Sequence, residues 1–200
     1  MLEILFLKGK EAEQHVNELA MLRIKYFREY PYLYDGNLEY ERLYLGSYIN
    51  NEKAILVLAK DCDKIIGLST AIPLVSDYHI LEGAADIFSN SGLKPDEFYY
   101  FGEIIILPEY RGRGIASLIF KQQEEYARSL GYKGVCFLVV IREGDHPLKP
   151  KDYEEPDAKW MHMGYEKTNT YTYFEWPTIQ PSRETENVNN KMVYWIKKLT

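Results

Sequence analysis

The chain has 200 residues, 46% hydrophobic and 27% charged, with a formal net charge of −6. That length fits one domain with a sizeable core, and the composition is too apolar for a disordered chain. The acidic balance argues against a nucleic-acid-binding surface and suits a cationic small substrate.

The two cysteines, Cys62 and Cys136, provide neither a disulfide framework nor a zinc site, and no metal is expected. The first residues lack the basic leader and long apolar run of a signal peptide. No run approaches the ~20 apolar residues of a membrane span. The expectation is a cytoplasmic protein without a membrane partner.

Residues 2–7 read as a first strand. Residues 10–29 read as a helix, with Val16, Leu19, Ala20, Ile24 and Phe27 on one face and Pro31 as its stop. An aromatic segment follows, with Tyr30, Tyr32, Tyr34, Tyr40, Tyr44 and Tyr48. Asp35 or Asn37 can cap a second helix that runs to about Tyr48. The apolar runs 54–60 and 64–74 predict an antiparallel hairpin. Residues 77–94 read as a short helical insertion, with Leu81, Ala84, Ala85 and Phe88 at helical spacing.

The stretch 102–131 organises the rest. Residues 103–107 form a short apolar run rich in β-branched side chains, which predicts a buried strand. Pro108 ends its pairing. A basic glycine-bearing turn, Arg111-Gly112-Arg113-Gly114-Ile115-Ala116, leads into an amphipathic helix that stops at Gly131. A strand, a glycine turn and a helix N-terminus together present free N–H groups and the positive end of a helix dipole, which makes an anion site. Arg111 and Arg113 suit phosphate oxygens. No Gly-Lys-Ser/Thr follows the glycines, so this is not a P-loop. A dinucleotide-binding loop is the nearer rival, but there the glycines follow their strand almost directly, whereas residues 108–111 intervene here.

Residues 133–141 predict another core strand, 142–155 a polar loop, 156–163 a helix, and 168–176 a strand ended by Pro177. Residues 184–199 carry a helical pattern in Val188, Met192, Trp195, Ile196 and Leu199. The organisation expected is one domain over 1–200, with a core of about 2–176 and a C-terminal helix of about 184–199. That helix would cap the domain or pair between subunits, so both monomer and homodimer stay open.

The 111–116 turn, placed after a strand and a proline turn, resembles the acetyl-CoA signature of the GCN5-related N-acetyltransferase (GNAT) superfamily, Gln/Arg-x-x-Gly-x-Gly/Ala. The order of elements over about residues 2–176 is similar to that family's too, down to Gly164-Tyr165 where it commonly has Gly-Phe. The resemblance implies an α/β (α+β) fold: a mixed, mostly antiparallel sheet flanked by helices, with splayed strands at the cofactor site. It implies acetyl-CoA as cosubstrate. The pyrophosphate would be held by Gly112, Arg113, Gly114, Ile115, Ala116 and Ser117 beside Arg111, and the pantetheine arm would lie along Ile104, Ile105 and Ile106. It implies direct transfer of an acetyl group to a primary amine, on a small molecule or a peptide.

Such chemistry needs a base to take a proton from the amine and a donor for the leaving thiolate. Glu103, opening the motif strand, is the candidate base, although a solvent-facing strand end is the alternative. Trp160 stands where the family's usual acid, a tyrosine, is expected, and Trp cannot supply that proton. Tyr153 and His162 are the nearby candidates. Tyr32, Tyr34 and His146 are candidates for the acceptor side, where aromatic faces can hold a cation. Two other readings stay open: an acetyl-CoA-binding sensor or interaction module with little catalysis, and a dinucleotide-binding protein.

Overall fold

The computed structural model describes residues 2–76, 94–142 and 144–199. The expected insertion at 77–94 falls almost wholly outside them. In chain order the elements are β1 (Leu2–Leu7), α1 (Gly9–Glu13), α2 (Val16–Phe27), α3 (Leu38–Ile49), β2 (Ile55–Asp61), β3 (Lys64–Pro73), β4 (Phe98–Ile106), α4 (Ile115–Ser129), β5 (Gly134–Val140), α5 (Asp157–His162), β6 (Glu166–Ile179) and β7 (Thr185–Lys198). The strands form one seven-stranded sheet in the order β1-β2-β3-β4-β5-β7-β6. β4 and β5 are parallel, and the other neighbours pair antiparallel. The mixed, mostly antiparallel sheet flanked by helices is the architecture expected.

The expected first helix is two, α1 and α2. α3 begins where Asn37 accepts the Tyr40 N–H at 2.9 Å, so Asn37 rather than Asp35 is the cap. The 54–74 hairpin is β2 and β3.

Residues 184–199 are not a helix. They form β7, inserted between β5 and β6. With strands on both sides, residues 192–196 are almost continuously buried, and such a run mimics helical spacing. The preceding Asn187, Asn189 and Asn190 favour a helix poorly, whereas Val193, Tyr194, Trp195 and Ile196 suit a strand. Pro177 does not end β6 either: it pairs with Asn187. β6 is the sheet's edge, where a missing donor is tolerated.

Two irregularities in β4 position everything below. β4 and β5 pair only from Phe98–Phe101 against Gly134–Phe137. β4 then runs on to Ile106 and β5 to Val140 as a splayed, unpaired fork. In the β3 pairing, Thr70 lies opposite Glu103 and Ala71 opposite Phe101, so Gly102 is an extra, bulged residue.

Candidate active site

The bulge sets the direction of Glu103. In a regular strand, residues 101 and 103 share a face. The extra residue breaks that phase. Phe101 packs against Phe120 of α4, with ring centroids 5.7 Å apart, while Glu103 turns to the opposite face and meets Arg23 of α2 and Tyr44 of α3. Only glycine fits at 102, because a Cβ there would lie 2.4 Å from both Thr70 Oγ1 and Tyr48 Oη. The bulge leaves Thr70's carbonyl short of a regular partner. Gln123, fully buried on α4, donates to it at 3.3 Å and to Ser69 Oγ at 3.0 Å. Ser69 Oγ in turn donates to the Glu103 carbonyl. A buried polar chain thus fixes the backbone at Glu103.

Around the Glu103 side chain lies a buried charge cluster. Arg23 Nη1 is 2.6 Å from Glu103 Oε2, and Arg23 Nε donates to Glu41 of α3. Tyr44 Oη donates to Glu103 Oε2 at 3.0 Å and lies 2.8 Å from Tyr48 Oη. The guanidinium also sits 4.0 Å over the Tyr44 ring. Burial alone would lower the Arg23 pKa, but the facing Glu103, Tyr44 and Glu41 hold it well above the ordinary arginine value. One guanidinium therefore faces two carboxylates; Tyr34 hydrogen-bonds Glu41 as well, and Glu103 Oε1 is buried without a hydrogen-bond partner among the described residues. Buried acceptors left open in this way are costly to a fold.

These atoms line a cavity of about 390 Å³ walled by aromatic rings, among them Tyr32, Tyr34, Tyr44, Tyr100 and Trp176. A second cavity of about 160 Å³ lies in the fork between β4 and β5, lined by Ile104, Phe120, Val139, Tyr153 and Trp160. Both cavities are lined by Phe27, Tyr32, Gly102, Glu103 and Leu138, so Glu103 stands where they adjoin. Leu107 N–H donates to the Ile66 carbonyl on β3. Amides alternate along a strand, so Ile104 and Ile106 turn theirs toward the fork.

At the far end of β4, Gly112 has φ +74° and Gly114 φ +77°, left-handed values that suit glycine. A Cβ at either would meet nothing within 4 Å, so the turn is open to a ligand's approach. Leu118 N–H bonds the Gly114 carbonyl, and the N–H groups of Ile115, Ala116 and Ser117 before it have no intrahelical acceptor. The two arginines brace the turn. Arg111 Nε donates to the Ile106 carbonyl at 3.0 Å and Arg113 Nη2 to the Glu109 carbonyl at 2.8 Å, with both side chains otherwise exposed.

The C-terminal hairpin forms one wall of the larger cavity. Ile179 N–H donates to the Leu33 carbonyl at 2.7 Å and Asp35 N–H to the Pro177 carbonyl at 2.8 Å, so the end of β6 bridges to the loop that carries Tyr34. Thr185 adds a hydrogen bond to Asp35 at 2.7 Å. Arg142 holds the same loop from the other side, donating to the Pro31 and Tyr32 carbonyls at 2.8 Å each.

The sequence matches the model of the acetyltransferase (GNAT) family over residues 19–148. The chain belongs to that family. Solved structures share the fold at low identity. Arabidopsis thaliana NAA60 in complex with acetyl-CoA superposes with a TM-score of 0.62 at 12% identity, covering 100% of this chain and 99% of that one. The ribosomal-protein-S18-alanine N-acetyltransferase of Escherichia coli gives 0.58 at 10% identity, over 100% and 95%. A GNAT-family acetyltransferase of Streptococcus pneumoniae gives 0.58 at 16%, over 99% of each. No curated protein sequence matches the chain.

Within this GNAT acetyltransferase, the sequence-predicted residues separate into those brought together and those left apart. Glu103, Tyr32 and Tyr34 line the larger cavity, and Tyr153 and Ile104 line the fork. His162 is exposed at the end of α5 and lines neither cavity, because α5 turns Trp160 inward instead. His146 also lines neither. It packs by Tyr30, with ring centroids 5.8 Å apart, and its Nδ1 accepts the Leu148 N–H. Burial and the nearby Arg142 lower its pKa, which keeps it neutral near pH 7.

Trp160 is a packing residue, 5.2 Å from the Phe137 ring and 5.1 Å from that of Trp195. Tyr165 shows why a tyrosine suits the usual Phe position: its hydroxyl donates to buried Glu124 at 2.9 Å, which Lys197 also holds at 2.8 Å. Arg23 escaped sequence reading, although a charged residue spaced four from both Leu19 and Phe27 on a helix's apolar face was a visible signal. Trp176 and Phe174 gave no signal, since only the fold brings β6 over the cavity.

Proposed function

We propose that this GNAT acetyltransferase moves an acetyl group from acetyl-CoA directly to a primary amine. The observation that carries the reading is the adjoining of two cavities at Glu103, one in the β4–β5 fork below the glycine turn and one walled by rings and carboxylates. The open turn at Gly112 and Gly114, with the N–H groups of Ile115, Ala116 and Ser117, fits a pyrophosphate. The unpaired edge of Ile104 and Ile106 fits a strand-like amide arm. When bound, acetyl-CoA supplies an activated thioester carbonyl.

The chain's own residues then have these roles. The larger cavity admits the amine. Glu103 Oε1, free of other partners, takes a proton from it. The Ile104 or Ile106 N–H, facing the fork, stabilises negative charge on the carbonyl oxygen. The Tyr153 hydroxyl donates a proton to the leaving sulfur. Burial, with Glu155 beside it, raises the Tyr153 pKa, so the phenol keeps its proton at neutral pH. Tyr153 thus takes the role that Trp160 cannot. Direct transfer agrees with Cys136, whose thiol burial pushes up and away from activation.

The test is a panel of amines with acetyl-CoA, reading both free thiol and acetylated product. Amine-dependent release of both is expected. Tight acetyl-CoA binding with no turnover on any amine would instead favour a sensor or binding module.

A further inference from the structure

Resting on the transfer reading above, we infer that the acceptor is a compact primary monoamine with an apolar, ring-bearing body, and that Glu41 is the positioning residue that selects its charge. Arg23, Glu41 and Glu103 are each less than a tenth exposed. They carry one formal positive charge against two negative ones, and the excess lines the larger cavity at Glu41, whose other partner Tyr34 is an uncharged hydrogen-bond donor, and at Glu103. A single ammonium completes a cluster of two cations and two carboxylates. An uncharged alcohol leaves the excess in place.

An amino-acid zwitterion fares badly for a different reason. Its carboxylate would need Arg23, whose Nε and Nη1 already face Glu41 and Glu103. The rest of the cavity suits an apolar body, since Phe27, Tyr32, Phe174 and Trp176 surround about 390 Å³, near the small end of ligand pockets. β6 forms one wall of this space and is tied to Tyr34 by a bridge from Thr178. Glu41 does not take the proton in this scheme. It supplies the negative charge that remains after Arg23 and Glu103 have neutralised each other.

The experiment is calorimetric titration of the full chain, without acetyl-CoA, using 2-phenylethylamine, 2-phenylethanol, phenylalanine and 1,5-diaminopentane. The monoamine is expected to bind at least about tenfold more tightly than each of the other three. Glu41→Gln is expected to abolish its advantage over the alcohol while leaving the alcohol's affinity unchanged. Absence of monoamine binding, equal binding of the zwitterion or the diamine, or an undiminished preference in Glu41→Gln would each overturn the inference. If Glu41→Gln does not fold, the four-ligand series on the unaltered chain decides alone. Because no acetyl-CoA is present, these outcomes are independent of whether amines release thiol.

Discussion

Glu103 Oε2 lies 2.6 Å from Arg23 Nη1, while Glu103 Oε1 has no hydrogen-bond partner among the described residues. One oxygen is anchored and the other is open to the cavities. That division suits a base, which must be held still on one side and available on the other. Arg23 achieves the anchoring from a helix by an ion pair, and Tyr44 supports it with a hydrogen bond to the same oxygen.

Gly102 is the pivot that aims this carboxylate. Replacing it with alanine would put a methyl group 2.4 Å from Thr70 Oγ1 and Tyr48 Oη. Thr70 is fully buried in β3 and Tyr48 almost fully buried on α3, so the bulge itself must shift. Gly102→Ala is expected to lower stability by about 1–3 kcal/mol and to reduce turnover more than the lost folded fraction explains. Denaturant unfolding beside a steady-state assay checks both. Unchanged stability would show that the bulge has slack.

Tyr153 reaches the fork from the loop before α5 and packs edge-on to Tyr30, with centroids 4.7 Å apart. Tyr153→Phe keeps that ring contact and removes only the hydroxyl. It is expected to lower kcat by roughly 10²-fold with little change in melting temperature or in acetyl-CoA affinity. A thioester with a better leaving group should recover part of the loss, since less help is then needed at sulfur. A uniform rise in KM with unchanged kcat would make Tyr153 a binding residue instead.

Asp35 ties the C-terminal hairpin to the acceptor loop. The Thr185 hydrogen bond, followed by the Arg28 charge and hydrogen bond, holds its pKa below the ordinary 3.8, with burial opposing. A depressed folded value means that the ionised carboxylate contributes stability above pH 3.8, and that the contribution is lost as pH falls through the lower folded value. Asp35 is partly exposed and its effect is screened by solvent, so it is small. Asp35→Asn is expected to melt slightly below the unaltered chain at pH 7, with the gap narrowing as pH falls below 3.8. A gap that does not narrow with falling pH would assign the effect to packing.

The glycine turn was legible in the sequence because it is local. Gly112, Gly114 and the helix behind them are consecutive residues whose conformation follows from their type. Glu103 was legible as a charge in an apolar run, but the strand's start was not: β4 begins at Phe98, so Glu103 lies inside it and is buried rather than at a solvent-facing end. Of the larger cavity, Tyr32 and Tyr34 were legible too and the rest was not, because it is assembled from distant segments. Arg23, Glu41, Glu103 and Trp176 meet only after a bulge reverses the facing of β4 and a hairpin folds back over α3. That hairpin was itself concealed: β7, covered on both sides, spaces its apolar residues much as a helix would. His162 stood out by chemistry alone, and its helix phase, one residue from Met163 and two from Trp160, leaves it in solvent.

The most direct test of the account is the transfer rate of Glu103→Gln in single turnover, with acetyl-CoA affinity measured on the same sample. Glutamine keeps the shape and loses the base. The account predicts a fall in rate of roughly 10²- to 10⁴-fold, with the acetyl-CoA Kd within a factor of about two of the original. A variant that transfers acetyl at the unaltered rate while binding acetyl-CoA normally would contradict it.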